Sequence, residues 1–160
     1  GVADDPEGAA VFTECLDQWR TLPHATRARV LLVCLPMHDL EENAAIVNAL
    51  QRHAAVVVQK SLAEGFGLTV TEAMWKARPV VASGIGGIQD QITHGEHGLL
   101  IDDPADTEAC GAAIRELLAD SERAHRLATN ARRRVVSDFL STRHLMQYAS
   151  VLAELLGAPE

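Results

Sequence analysis

The sequence predicts an α/β fold: a doubly wound, mostly parallel sheet, Rossmann-like, with C-terminal helices. Three observations carry that expectation. Short apolar runs rich in branched residues recur along the chain, stretches of helical periodicity separate them, and three helical stripes close the sequence.

The elements follow in order. Asp4 or Asp5 caps a first helix, and Pro6 suits its opening turn because the fixed φ of proline is already helical. "RVLLVCLP", Arg29 to Pro36, is apolar and stopped by proline, the pattern of a strand buried on both faces. "EENAAIVNALQRH" predicts a helix and Ala54 to Gln59 the next buried strand. A glycine loop then leads into a helix from Leu68 to Ala77, followed by strands at Pro79 to Ser83 and Gly98 to Ile101. Asp106 to Ala119, Ser121 to Asp138 and Ser141 to Leu156 complete the chain as helices. Ala124, Leu127, Ala128, Ala131 and Val135 recur at spacings of three and four, as do Leu145, Tyr148, Ala149, Leu152 and Leu156, so both stripes are expected to pack on the sheet.

Composition bounds the function. The 160 residues suit one domain with one core. A formal net charge of −8 argues against nucleic acid or an anionic membrane as the main partner. Arg132, Arg133 and Arg134 fall inside a helical pattern and read as a solvated face. Three widely spaced cysteines, with Cys34 inside an apolar run as a core residue, predict a reducing cytoplasm. No apolar run approaches the roughly 18 residues of a spanning helix. The chain opens ahead of a helix without the strand a βα unit places before it, so a piece of a longer protein is expected.

The chemistry concentrates in "KSLAEGFGLTVTEAM". In an open parallel sheet, ligands sit beyond the carboxyl ends of the strands, where loops enter helix N-termini. Gly65 and Gly67 are expected to take backbone angles closed to other residues and to leave room for a ligand. The amides from Phe66 to Thr69 then face outward at the positive end of a helix, an anion site. Glu64 and Glu72 flank it. Carboxylates repel phosphate but are strong acceptors for sugar hydroxyls, and the loop plus about five helical residues separates them by on the order of 10 Å. That pattern suggests a nucleotide sugar, with amides for the diphosphate and a glutamate for the sugar at each end.

"EGFGLTVTEAM" resembles the Glu-x7-Glu signature of retaining glycosyltransferases of group 1, which have the two-domain GT-B architecture, and "RPVVASGIGGIQDQITHGEHGLLIDDP" is similar to the segment that follows it. The longer string from Glu42 to Ser83 resembles the trehalose synthases of this group, which transfer glucose from a nucleotide donor to glucose. The resemblance covers about residues 1–156 and only the second half of such an enzyme. It implies that residues 1–160 are a donor-binding C-terminal domain, inactive without the first strand and the N-terminal acceptor domain. It implies Glu64 as the catalytic-site contact to the donor sugar and Glu72 as the holder of the ribose. It places Gly65, Phe66 and Gly67 against the donor sugar, Leu68 and Thr69 at the distal phosphate, and Met37, with Leu35 and Pro36, at the nucleotide base. The family's basic pair for the diphosphate would fall ahead of Gly1, leaving Lys60 and Lys76 as the nearest lysines.

The second loop, Ser83 to Gln91, exits at the same edge, where Gly84, Gly86 and Gly87 serve either a cleft wall or a turn. No metal is expected: His94 and His97 lie in a glycine turn without a third ligand and read as surface residues, and the pairs Asp4-Asp5 and Asp102-Asp103 read as caps and turns. No cofactor is implied beyond the nucleoside-diphosphate glucose itself. A trehalose phosphorylase and a non-catalytic nucleotide-binding module remain open beside the glucosyltransferase, as do base preference, acceptor and oligomeric state, a homo-oligomer included.

Overall fold

The structure, a computed structural model, describes residues 6–35 and 38–157. The chain divides into two compact units, Gly1–Asn48 and Ala49–Glu160.

The first unit holds helices α1 (Pro6–Thr21) and α2 (His24–Arg27) and most of α3 (Leu40–His53), which continues into the second. Trp19 anchors it locally: its indole N–H donates to the Val30 carbonyl at 2.9 Å, and the Arg27 guanidinium lies 5.3 Å from the ring centroid. Asp39 caps α3, accepting from the amides of Glu41 and Glu42 at 3.0 and 2.9 Å, so two of the helix's orphan donors are satisfied. The expected strand at 29–36 does not form among the described residues. Leu31 is 86% exposed, and Val33 and Cys34 are exposed as well, so Cys34 is no core residue; the buried cysteine is Cys110. The reason is cooperative: a strand exists by pairing, and this unit offers no second strand among its described residues.

The second unit is the α/β body. Strands β1 (Val57–Gln59), β2 (Val80–Ser83) and β3 (Leu99–Ile101) form a parallel sheet in the order β1-β2-β3, with Val57 opposite Val80 and Val81 opposite Leu99. Helix α4 (Leu68–Trp75) joins β1 to β2 and the short α5 (Ile88–Gln91) lies between β2 and β3. Helices α6 (Thr107–Ala119), α7 (Ser121–Asp138) and α8 (Ser141–Leu156) follow, each within a residue of its expected bounds.

The two-residue period of β2 divides the core. Val80 and Ala82 pack with Val70 and Met74 of α4, Ile88 of α5, and Ala131 and Val135 of α7. Val81 packs with Leu99, with Leu117 of α6 and with Ala124 and Leu127 of α7. Both sheet faces are covered, which is why β2 is buried at all four residues and apolar up to Ser83.

Helix α4 stops at Trp75, two residues before the expected end. Ala77 takes a left-handed φ of 52° and donates to the Met74 carbonyl, while Arg78 donates to Ala73, the paired bonds that close a helix C-terminus. The stripe of α7 is buried as expected. That of α8 is not: Leu145 and Leu156 are 70% and 81% exposed, Tyr148, Ala149 and Leu152 are exposed too, and none of them packs on the sheet. The chain leaves the core at Phe139 and Leu140, half-buried against it, and α8 continues with its stripe exposed. Arg134 corrects the reading of the basic run, since it donates to the Asp90 carbonyl at 2.7 Å and to the Thr93 hydroxyl at 3.1 Å, and Arg132 lies over the Trp75 ring at 5.7 Å.

Candidate donor site at the carboxyl edge of the sheet

The loop after β1 and the loop after β2 meet backbone to backbone. Gly87 donates its amide to the Gly65 carbonyl at 2.7 Å, and a Cβ at Gly86 would stand 2.0 Å from the Glu64 carbonyl oxygen. Glycine is required there by close approach, so Gly86 and Gly87 brace the first loop; they do more than turn the chain. Gly67, the N-cap of α4, has φ 86°, and a Cβ on it would meet Ile88 Cγ1 at 2.8 Å. Gly65 differs from expectation: its φ is not among the positive ones, and a Cβ there would meet only open space.

The first turn of α4 is open. Phe66, Leu68 and Thr69 are exposed, Phe66 edge-on to Phe139 with ring centroids 6.1 Å apart. As the first helical residues, Leu68 and Thr69 carry amides with no intrahelical acceptor, at the positive end of the helix. The carbonyl of Gly67 accepts from the amides of Val70 and Thr71, at 3.0 and 3.3 Å.

Each glutamate is held by neighbours. Half-buried Glu64 accepts through Oε2 from the Ser61 hydroxyl at 3.2 Å and from Gln59 Nε2 at 3.4 Å, and through Oε1 from the Gly65 amide at 3.1 Å. Glu72, on the outer side of α4, accepts from Gln51 Nε2 at 3.3 Å and lies 3.8 Å from the Lys76 ammonium, which donates to Gln51 Oε1. Lys60 is drawn elsewhere, its ammonium donating to the Pro104 carbonyl. Met37 and Pro36, two of the residues expected at the base, lie outside the described residues, and Leu35 is half-buried within the first unit.

Sequence reasoning missed the amides behind these carboxylates, Gln51 and Gln59, and also Gln91, which is fully buried, donates through Nε2 to the Phe66 carbonyl and accepts from the Thr71 hydroxyl at 2.7 Å. A signal for Gln91 existed: it stands between Ile88 and Ile92 on the inward side of a helical turn, where an apolar residue is the ordinary choice.

The histidines are structural. His94 Nδ1 accepts from the Leu100 amide at 3.0 Å. His97, nearly buried, accepts from the Thr93 amide at 3.3 Å; burial first, and then the Arg134 guanidinium, hold its pKa below the usual histidine value, against the opposing pull of Glu96 and Asp138. Among the described residues no cluster of three His, Cys, Asp or Glu side chains is placed to hold a metal, and no helix is long and apolar enough to cross a membrane.

Residues 38–134, more than half of the chain, match the family described as glycosyl transferases group 1. The chain belongs to that family. This group 1 glycosyltransferase domain has the α/β fold of the C-terminal half of GT-B enzymes. It is 41% identical over 155 residues to a trehalose synthase of Rubrobacter xylanophilus, an alignment that takes in 96% of this chain and 34% of the relative. Among solved structures it is similar to a sucrose-phosphate synthase of Thermosynechococcus elongatus, with a TM-score of 0.72, 33% identity, and coverage of 97% of this chain and 37% of that one. Anabaena HepE, solved in complex with UDP-glucose, matches with a TM-score of 0.62 and 27% identity over 68% of this chain and 30% of that one. The group 1 domain therefore spans about a third of the length of these relatives.

Proposed function

We propose that this group 1 domain is the donor-binding half of a retaining glucosyltransferase that moves glucose from a nucleoside-diphosphate glucose onto glucose, making trehalose. One observation carries the reading: the exposed first turn of α4 lies in sequence between two carboxylates, Glu64 held by neutral donors and Glu72 by Gln51 with Lys76 beside it, in a chain 41% identical to a trehalose synthase.

Each part has a chemical task. The amides of Leu68 and Thr69 meet the distal phosphate and stabilise the charge that grows on it as the glycosidic bond breaks; single donors of this kind are worth about 3–4 kcal/mol in other enzymes. Glu64 accepts hydroxyls of the donor glucose, the backbone from Gly65 to Gly67 lies against that sugar, and Glu72 accepts the ribose hydroxyls. Gln59, Ser61 and Gln51 give these carboxylates their orientation before the ligand arrives, which lowers the ordering cost of binding. Met37 is assigned to the base. The anomeric carbon loses its bond to the phosphate oxygen and gains one to the acceptor hydroxyl on the same face, and the acceptor's proton passes to the departing phosphate. No metal takes part. The acceptor is held by a further domain, so the isolated chain binds donor without turning it over.

Calorimetric titration of the protein with UDP, ADP, GDP and inorganic phosphate tests the assignment. One nucleoside diphosphate is expected to bind, and Glu72→Ala to weaken it by about tenfold to a hundredfold, as loss of a charged hydrogen-bond acceptor does. Unchanged affinity in Glu72→Ala removes the ribose role, and binding of phosphate with indifference to the nucleotides turns the reading toward a phosphorylase.

A further inference from the structure

We infer that Gln91 is a positioning residue that holds the 64–67 loop, and with it the opening amides of α4, in the arrangement that receives the donor's distal phosphate. The inference rests on the donor-site reading above and adds to it a determinant of phosphate recognition that touches no ligand itself.

Gln91 is 0% exposed, and burying a primary amide is costly unless its hydrogen bonds are made. Here both ends are used across element boundaries. Nε2 donates to the carbonyl of Phe66, directly before the N-cap of α4, and Oε1 accepts from the hydroxyl of Thr71 in that helix's first turn. One side chain on α5 thereby fixes the loop relative to the helix it enters. The contact lies close to the one from Gly87 to the Gly65 carbonyl, and at Gly67 even a Cβ would collide with Ile88, so the loop rests on α5 and its glycines along its length. Beside these contacts the loop is held by the hydrogen bonds of Glu64 and by the edge contact of Phe66 with Phe139, while Leu68 and Thr69 face solvent. A hydrocarbon side chain of similar size at position 91 fills the same space and leaves the Phe66 carbonyl and the Thr71 hydroxyl without their partner, which releases the loop and not the core.

Two variants in the complete protein test this, Gln91→Leu and Gln91→Glu. Hydrogen exchange reads the loop without any ligand, at the amides of Gly87, Val70 and Thr71, which donate to the carbonyls of Gly65 and Gly67. Titration with whichever of UDP, ADP and GDP the wild type binds best, and with the matching nucleoside, reads the site. Gln91→Leu is expected to speed exchange at these amides and to weaken the diphosphate by about tenfold, with the nucleoside's affinity kept. Gln91→Glu accepts from Thr71 as a carboxylate but donates to Phe66 only when protonated. Its diphosphate affinity relative to wild type is therefore expected to recover between about pH 8 and about pH 5.5, a profile that a residue serving stability alone does not produce.

Unaltered exchange in Gln91→Leu, or equal losses for nucleoside and diphosphate, overturns the inference. Should Gln91→Leu fail to fold, the pH profile of Gln91→Glu decides, and a flat profile overturns it. A wild type that binds none of the three nucleotides removes the donor-site reading, while exchange still judges whether Gln91 holds the loop.

Discussion

Helices α7 and α8 are adjacent in the chain, similar in length and both striped at spacings of three and four, yet the stripe of α7 is buried throughout and that of α8 faces solvent. The less apolar of the two is the one inside. Alanines dominate the face of α7, and their small size lets the helix approach the body closely, with Ala131 and Val135 reaching the cluster around α4 and Ala124 and Leu127 the cluster around α6. Larger side chains, Leu145, Tyr148, Val151 and Leu152 among them, line α8, and all of these stay exposed. A stripe records what a helix is able to bury; burial itself needs an opposing face.

Matched truncations measure the contrast. Leu127→Ala, at a residue 4% exposed, is expected to cost about 2–4 kcal/mol in chemical denaturation, as a core leucine does. A loss below about 1 kcal/mol would mean that α7 is not the closing layer of the core.

The second prediction concerns the polar edge of α7, where Arg134 reaches the loop that carries His97. Because burial and Arg134 lower the pKa of His97 in the folded state, the unfolded chain binds a proton more readily. Stability from this site is therefore complete above the ordinary histidine value near 6.5 and declines as the pH falls through it toward the folded pKa. Melting temperatures taken from about pH 8 to about pH 5 should fall more steeply for the wild type than for His97→Gln. Parallel curves would show that His97 is as free to protonate folded as unfolded.

The smallest effect is expected in α8. Leu152→Ala, at a residue 54% exposed, should change stability by less than about 0.5 kcal/mol. A loss near 2 kcal/mol would mean that α8 is covered in solution and would erase the contrast with α7.

The segment at 29–36 repeats the lesson of α8 in strand form. Its run of branched residues was readable as a strand, yet the ladder that would make it one is not among the described residues. The glycine loop before α4 is more legible. Glycines before a helix and flanking glutamates are local features, and the structure has Gly67 as the N-cap of α4, Glu64 in the loop before it and Glu72 within the helix. What escaped were side chains that act across sequence distance: Gln51 reaches Glu72 from α3, and Gln91 reaches Phe66 from α5.

By itself the sequence determined the α/β class, the three paired strands, the bounds of the last three helices and the group 1 signature, because periodicity, capping and turn chemistry are written within a few residues. Tertiary structure alone decided which stripe is inside, that Gly86 and Gly87 brace the first loop, and which neutral amides hold the two carboxylates. Those outcomes depend on surfaces meeting from distant parts of the chain, and no local pattern records whether the opposing surface is present.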